Sequence, residues 1–286
     1  MKQITLPGTD LRLSRFSFGT AGLFNASGSA RERGRLLAAA YDNGFTHFDT
    51  APYYAFGIAE RDLRALLATR PEATVATKVG LYAPGGETQS APMVFLRKAA
   101  GRALPALSRP IIDWSVKRAR TALSASLRRL GRERIDLYLL HEPDQRLIAT
   151  DEWRRWLEDE RERVAWFGVA GNSQRVGAFI ECANPLAAVV QTNDSIAGRE
   201  ADILTRSGRP LQLTYGYVSA HRAGSPPDAA EILGAALRRN RTGSIIVSTR
   251  RIDRLPQYAA ILTAAEAEQA GAGESPPPLT GTGARR

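Results

Sequence analysis

Cysteine and long apolar runs are the first features that this sequence lacks. Its 286 residues include one cysteine, Cys182, so an intrachain disulfide framework is excluded and a reducing compartment is favoured. No apolar run approaches the roughly 18 residues of a membrane-spanning helix. The first residues, MKQITLPGTDLRL, carry a charge but no apolar stretch, unlike a signal peptide. We therefore expect a cytoplasmic protein with no membrane partner.

Lysine is also scarce, although the chain is strongly basic. Only four of the 39 basic residues are lysines (Lys2, Lys78, Lys98 and Lys117), and the formal net charge is +10. The arginines alternate with Glu and Asp along helical segments, which is typical of solvated helix faces. We therefore expect no nucleic-acid partner, and only a modest attraction for an anionic cofactor.

Two signatures of other chemistries are missing. The three histidines lack the neighbouring cysteines or the His–Glu spacing of a metal centre, so no metal site is predicted. The G-x-S-x-G motif of a serine nucleophile is absent as well.

Short β-rich runs alternate with amphipathic helical segments along the whole chain. The runs lie at 13–20, 46–51, 73–80, 135–141, 163–171, 187–194, 211–218 and 243–250. Eight strand–helix units in about 250 residues predict an α/β fold, the (β/α)8 TIM barrel. A doubly wound sheet is the rival, but it usually shows G-x-G-x-x-G after its first strand, and FGTAGLF does not supply it.

The predicted barrel is one domain over residues 1–267. QITLPGTDLRL, before the first strand, predicts a β-hairpin that covers the barrel bottom. Residues 82–112 form the longest insertion, and connections of that length are usually functional or disordered. The Pro- and Gly-rich residues 268–286 predict a disordered tail.

Polar residues collect where the predicted strands end, which is where TIM barrels carry their chemistry. They are Asp49, Tyr54, Lys78, His141, Asn172, Gln191, Tyr215, Ser248, Thr249 and Arg250. Each has a structural alternative: Asp49 can cap the next helix, Tyr54 can pack on the barrel rim, and His141 can bond the following turn. Lys78 is harder to explain structurally, because the chain otherwise prefers arginine.

Asp, Tyr, Lys and His at one barrel mouth suit proton transfer to a carbonyl oxygen. A free tyrosine has a pKa of about 10 and gives up its proton poorly near neutrality. A lysine ammonium beside Tyr54 is expected to lower the pKa of its phenol by stabilising the phenolate. Asp49 would hold Lys78 charged, and His141 would orient the substrate oxygen.

These motifs resemble the aldo-keto reductase superfamily over roughly residues 3–262. The resemblance is carried by FDTAPYYAFGIAER, TKVG, SASLRRLGRERIDLYLLHEPD, FGVAGNS, VVQTNDS, TYGYVSA and IIVSTRRIDRL, in that order. Within the superfamily the chain looks most like the bacterial sugar- or pyridoxal-dehydrogenase-like branches. The resemblance implies a barrel that binds NADP(H), or less often NAD(H), across its strand ends.

The resemblance also implies a role for each matched residue. Asp49, Tyr54, Lys78 and His141 form the catalytic tetrad, with Tyr54 as acid/base. The implied cofactor site consists of Thr20, Asp49, Asn172, Gln191, Tyr215, Ser248, Thr249, Arg250 and Arg254. In that set Gln191 and Asn172 hold the nicotinamide carboxamide, Tyr215 stacks on the ring, and the arginines favour NADP(H) because a 2′-phosphate needs cations. Phe24, Tyr53 and Tyr82 are candidate substrate contacts by position.

Three positions depart from the superfamily pattern. Ala55 replaces the usual glycine after the tyrosine, so this loop is expected to avoid a conformation that only glycine favours. Ala170-Gly171-Asn172 replaces the usual Ser-Asn, and Val247-Ser248 replaces Pro-Gly. These changes bear on cofactor affinity and substrate choice.

The expected function is therefore hydride transfer between a nicotinamide and an aldehyde or ketone, or the corresponding alcohol. One alternative is an NAD-dependent aldose dehydrogenase that works in the oxidative direction. Another is a barrel that binds the nucleotide with little turnover. The expected partners are a small carbonyl or alcohol substrate, and the chain is expected to be a monomer or a weak homo-oligomer.

Overall fold

Eight parallel strands close into a barrel in the computed structural model, which describes residues 1–25, 29–221 and 228–271. The barrel strands are β1 (Phe16–Gly19), β2 (His47–Asp49), β3 (Thr74–Val79), β4 (Ile135–His141), β5 (Val164–Gly171), β6 (Val189–Asn193), β7 (Leu213–Tyr215) and β8 (Ser244–Val247). Each pairs with the next, and Ile245 of β8 pairs with Phe16 of β1 to close the ring. The predicted (β/α)8 barrel is confirmed.

Helices follow the strands and surround the barrel. They are α1 (Ala30–Asp42), α2 (Ile58–Thr69), α3 (Ala91–Ala100), α4 (Val116–Leu130), α5 (Thr150–Asp159), α6 (Ser173–Glu181), α7 (Asp202–Arg206), α8 (Ala229–Arg239) and α9 (Leu255–Gly271). Local sequence explains their starts: Ser29 and Glu32 form a capping box on α1, and Ser115 caps α4 through the Arg118 N–H.

The bottom of the barrel is covered by a hairpin, as the N-terminal residues predict. Gln3–Thr5 pairs antiparallel with Arg12–Ser14. Leu6, Leu11 and Leu13 are buried with barrel-lining side chains such as Leu137. This apolar cluster fills the lower end of the barrel, so a ligand has access from the opposite end, where the strands finish.

The 82–112 insertion has secondary structure of its own. It contains α3, and Leu81–Tyr82 pairs antiparallel with Ile111–Ile112 at its two ends. Several large apolar side chains on it are exposed, among them Phe95 and Leu96.

The C-terminal helix extends further than predicted. After a short 3-10 turn at Ile252–Arg254, α9 continues to Gly271, so its end includes the first residues of the predicted tail at 268–286. The remainder of that tail, 272–286, lies outside the described residues. Within the described ranges, no helix has the length and apolar character needed to cross a membrane.

Candidate active site

A cavity of about 290 Å³ opens where the barrel strands end. It is lined by residues from several of the strands or the loops after them, including Asp49, Tyr54, Lys78, His141, Glu142, Gln191, Tyr215 and Ser248. The four residues of the predicted tetrad therefore meet in one cavity, although more than 90 residues separate the first from the last in sequence.

Asp49 and Lys78 form a buried ion pair on the adjacent strands β2 and β3. Nζ of Lys78 donates to Oδ1 of Asp49 at 2.6 Å and to the backbone oxygen of Thr50 at 2.9 Å. The side chains are 1% and 5% exposed for Lys78 and Asp49. Burial lowers the pKa of Lys78, and the charge of Asp49 opposes that shift. The aspartate thus keeps a buried ammonium in place.

Tyr54 begins the 3-10 turn Tyr54–Gly57, and its ring lies against the Lys78 ammonium of that pair. Lys78 Nζ is 4.9 Å from the centre of the Tyr54 ring, and the His141 ring meets it edge-on at 5.8 Å between ring centres. Burial raises the pKa of Tyr54 well above 10, and the charges of Asp49 and Glu142 add to the increase. The predicted lowering of this pKa is therefore wrong for the protein alone, because burial and the two nearby carboxylates all favour the protonated phenol.

His141 ends β4 and faces Tyr54 with a neutral ring. Burial lowers the pKa of His141 well below 6.5, and the charge of Lys78 lowers it further. No hydrogen bond reaches its buried Nδ1 from the described residues. Its backbone oxygen accepts from Nε1 of Trp114 at 3.0 Å, which links the end of β4 to a residue two positions after the insertion.

The turn that presents Tyr54 adopts a left-handed backbone. Ala55 has φ +47° and Phe56 has φ +52°, followed by Gly57 at φ +85°. The expectation that Ala55 would avoid a glycine-like conformation is wrong. Ala55 and Phe56 are both buried against an apolar cluster with Ile58, and this packing offsets a local strain of roughly 1–2 kcal/mol per residue.

Two of the predicted nicotinamide contacts line the cavity. Gln191 on β6 is buried, and its Oε1 has no partner within the described part of the chain. Tyr215 ends β7, and burial raises the pKa of its phenol. An unpaired buried amide oxygen beside an aromatic ring fits a ligand that presents both an N–H donor and a flat face.

Asn172 and Thr20 are engaged elsewhere. The Asn172 side chain caps α6 by accepting the Arg175 N–H at 3.1 Å, and its Nδ2 lies 3.4 Å from Oε2 of Glu142. Thr20 is buried and donates from Oγ1 to the backbone oxygen of Asp49 at 3.0 Å. In this structure Thr20 positions Asp49 rather than facing the cavity.

A second, larger cavity of about 940 Å³ lies beside the first and shares Gly216, Ser219, Ile246, Val247 and Ser248 with it. Arg251 and Arg254 also line it, together with Gln257 and Tyr258. Thr249 accepts the Arg251 N–H at 3.1 Å and so shapes the turn after β8. Arg250 is exposed on the same turn. Arg251 is a cation of this cavity that the sequence interpretation did not include, and its guanidinium pairs with the carboxylate of Asp253, which also lines the cavity.

The three candidate substrate residues lie in different places. Phe24 packs between two cations, with Arg33 at 5.3 Å and Lys98 at 5.4 Å from its ring centre. The Tyr53 hydroxyl donates to the backbone oxygen of Ser108 at 2.7 Å, so it holds the insertion.

Tyr82 is a candidate that lies away from the cavity. It is 1% exposed, belongs to the main hydrophobic core, and has Arg118 stacked at 4.5 Å. In this structure Tyr82 is a core residue at the strand pair that closes the base of the insertion, and it does not line the cavity.

Glu142 is the functional candidate that sequence reasoning missed. It follows His141 directly, lines the cavity, and has φ +47°. Its position after a strand end was a usable signal, but the sequence does not show whether a carboxylate there turns inward or to solvent. Within the described ranges, the active-site cavity included, no group of three or more His, Cys, Asp or Glu side chains is arranged to hold a metal ion.

A sequence profile of the Aldo/keto reductase family matches residues 15–164, just over half of the chain. The chain belongs to the aldo/keto reductase family. The matched region includes all four residues of the tetrad, so the family assignment rests on the same part of the barrel as the site.

Characterised aldo/keto reductases are similar over part of their length. D-threo-aldose 1-dehydrogenase of a Pseudomonas species is 35% identical over 47% of this chain and 42% of its own length. Pyridoxal 4-dehydrogenase of Microbacterium luteolum is 30% identical over 47% of this chain and 41% of its own. The similarity thus spans less than half of the length of these relatives.

Solved aldo/keto reductase structures share the fold over nearly the whole chain. An aldo-keto reductase from Bacillus halodurans superposes with a TM-score of 0.72 at 18% identity, covering 94% of both chains. An aldo-keto reductase from Klebsiella pneumoniae, solved in complex with NADPH, gives 0.64 at 19% identity over 97% of both chains. At these identities the likeness establishes the barrel for residues beyond the family match.

Proposed function

We propose that this chain is an NAD(P)(H)-dependent oxidoreductase that interconverts a small aldehyde or ketone and the corresponding alcohol. The observation that supports this most is the convergence of Asp49, Tyr54, Lys78 and His141 on one cavity at the strand ends. A phenol, a buried ammonium and a neutral imidazole at one carbonyl-sized site suit proton transfer to an oxygen.

The side chains that line the two cavities fit a dinucleotide. The unpaired Oε1 of Gln191 would accept an N–H of the nicotinamide carboxamide, and Tyr215 would pack on its ring. The adjoining larger cavity offers Ser248, Arg251 and Arg254 to phosphate groups. The nicotinamide supplies or takes up the hydride when it is bound.

In this proposal Tyr54 is the general acid for reduction. Its raised pKa keeps the phenol protonated at neutral pH, so it is ready to donate to the carbonyl oxygen. Lys78 lies against the Tyr54 ring and would stabilise the phenolate that remains after donation. The neutral ring of His141 would position the same oxygen, and Asp49 would hold Lys78. Oxidation of an alcohol is the reverse, with the phenolate as base.

A second candidate is sugar oxidation by the same site. It is favoured by the D-threo-aldose 1-dehydrogenase relative, which matches about half of this chain. The two candidate functions differ in the direction of hydride transfer and in the substrate, but they use the same residues.

The test is fluorescence titration of the purified protein with NADPH and with NADH, followed by turnover assays in both directions. Saturable binding of one nucleotide, with reduction of an aldehyde or oxidation of an aldose, is the expected result. Arg254→Ala is expected to weaken NADPH binding more than NADH binding, since a cation near a 2′-phosphate is lost. If neither nucleotide bound, the proposal would be wrong.

A further inference from the structure

One carboxylate in the active-site cavity has no part in the proton transfer proposed above. Glu142 lies next to His141 and lines the same cavity as Tyr54 and Gln191. It is close enough to the reacting position for its negative charge to raise the pKa of Tyr54. Such a charge weakens Tyr54 as an acid, so it calls for an explanation other than proton transfer.

The structure holds this carboxylate in a defined orientation. Oε2 of Glu142 accepts from the backbone N–H of Asn172 at 3.3 Å and lies 3.4 Å from its Nδ2. The Glu142 N–H donates to the backbone oxygen of Ala170 at 2.7 Å, and φ is +47°, a left-handed conformation that non-glycine residues seldom adopt. Backbone and side chain are thus both fixed by the end of β5 and the residue after it.

The second oxygen remains available. No hydrogen bond from the described residues reaches Oε1 of Glu142. A nearby cation, Arg175, has its Nε 3.7 Å from Oε2, the oxygen that Asn172 already uses. The Glu142 side chain is partly buried and lines the cavity, so its free oxygen can accept a hydrogen bond from a donor bound there. Burial raises the pKa of Glu142.

The cofactor does not need this oxygen, because the unpaired Oε1 of Gln191 already offers an acceptor for the nicotinamide amide. We propose that Glu142 selects the substrate: its Oε1 accepts a hydrogen bond from a hydroxyl of an uncharged hydroxy-carbonyl compound, and its charge rejects carboxylate-bearing carbonyls. This inference rests on the proposed oxidoreductase function and adds the substrate class to it.

The substitution Glu142→Gln removes the negative charge and the free hydrogen-bond acceptor together, and it leaves the shape of the side chain unchanged. The two Asn172 donors would keep the amide oxygen of the substituted side chain on their side, so its NH₂ group would face the cavity in place of an acceptor. The acceptor for a substrate hydroxyl and the negative charge are then both lost. Substrates that differ in hydroxyl and charge tell the two effects apart.

The experiment compares kcat/KM for glyceraldehyde, propanal and glyoxylate in the wild type and in Glu142→Gln. These probes are a hydroxyl-bearing, an apolar and an anionic aldehyde. We expect the glyceraldehyde-to-propanal ratio to fall about tenfold and the glyoxylate-to-propanal ratio to rise about tenfold. Glu133→Gln, an exposed glutamate outside the cavity, is the matched control and should leave both ratios unchanged.

Other outcomes overturn the inference. Equal losses for all three aldehydes in Glu142→Gln would assign the residue a structural role. A weaker affinity for NADPH with unchanged ratios would place Glu142 at the cofactor amide. If the wild type bound nucleotide but reduced none of the aldehydes and oxidised no alcohol, the proposed function would fail together with this inference.

Discussion

Lys78 Nζ lies 2.6 Å from Oδ1 of Asp49, and almost no solvent reaches either side chain. A charge pair at this depth is costly to form, because both ions lose their hydration. The pair holds the Lys78 ammonium 4.9 Å from the Tyr54 ring centre, at the end of the barrel opposite the hairpin. The arrangement is therefore better explained by chemistry at Tyr54 than by stability.

Removing the lysine should leave Asp49 buried without its partner. We predict that Lys78→Met lowers the free energy of unfolding by about 3–5 kcal/mol and abolishes carbonyl reduction. The double variant Asp49→Asn/Lys78→Met should recover most of that stability but none of the activity. Urea unfolding and steady-state kinetics measure the two effects. Activity in the double variant would contradict a catalytic role for the pair.

Removing the Tyr54 hydroxyl should affect catalysis without affecting nucleotide binding. Tyr54→Phe is predicted to lower kcat for aldehyde reduction by roughly 10²–10⁴-fold, the usual contribution of a general acid. NADPH affinity, measured by fluorescence titration, should stay within a few fold. Tyr53→Phe is the matched control, since it loses a hydrogen bond to Ser108 in the insertion and not the proposed acid. Comparable losses in both variants would assign the effect to the loop.

The pH profile of reduction should lack a histidine titration. Burial and Lys78 hold the pKa of His141 well below 6.5, so its ring stays neutral as the pH rises through 7. Burial raises the pKa of Tyr54 well above 10, so the acid stays protonated until strongly alkaline pH. We expect kcat/KM for reduction to be constant between about pH 6 and 9, a range that includes the ordinary histidine pKa. A break in that range would show that one of these groups titrates there in the free protein.

Stability should decrease in mild acid because His47 is buried without a charge. Its Nδ1 bonds Oγ1 of Thr74 at 2.8 Å, and burial lowers the pKa of His47 to about 3. Below pH 6.5 the unfolded chain takes up a proton that the folded chain does not, so stability falls with pH until about pH 3.

His47→Gln should reduce this dependence. The wild type is expected to lose about 1.4 kcal/mol more per pH unit than the variant. Urea unfolding at pH 6 and at pH 5 gives the comparison. His141 contributes in the same direction in both proteins, so some dependence should remain in the variant. Identical slopes for the two proteins would show that His47 is protonated in the fold.

The sequence predicted the repeating strand–helix units because the spacing of apolar residues is a local pattern. It also predicted the four-residue site, because the barrel topology follows from those units. The strand and helix periods define eight units, and parallel strands in a closed barrel bring their carboxyl ends together. Asp49, Lys78 and His141 end or nearly end their strands, so any barrel with this register places them in one cavity. No knowledge of side-chain packing was needed for that step.

Only the tertiary structure decided how those side chains are solvated and oriented. The pKa of Tyr54 rises instead of falling, because desolvation depends on everything packed around the ring. Tyr82 turned into the core, and Ala55 adopted a left-handed conformation that its neighbours' packing stabilises. Glu142 faces the cavity because Asn172, 30 residues away, holds it there. The sequence by itself determined which groups meet, because topology follows local periodicity. Burial and orientation depend on contacts between distant segments, which only the folded chain supplies.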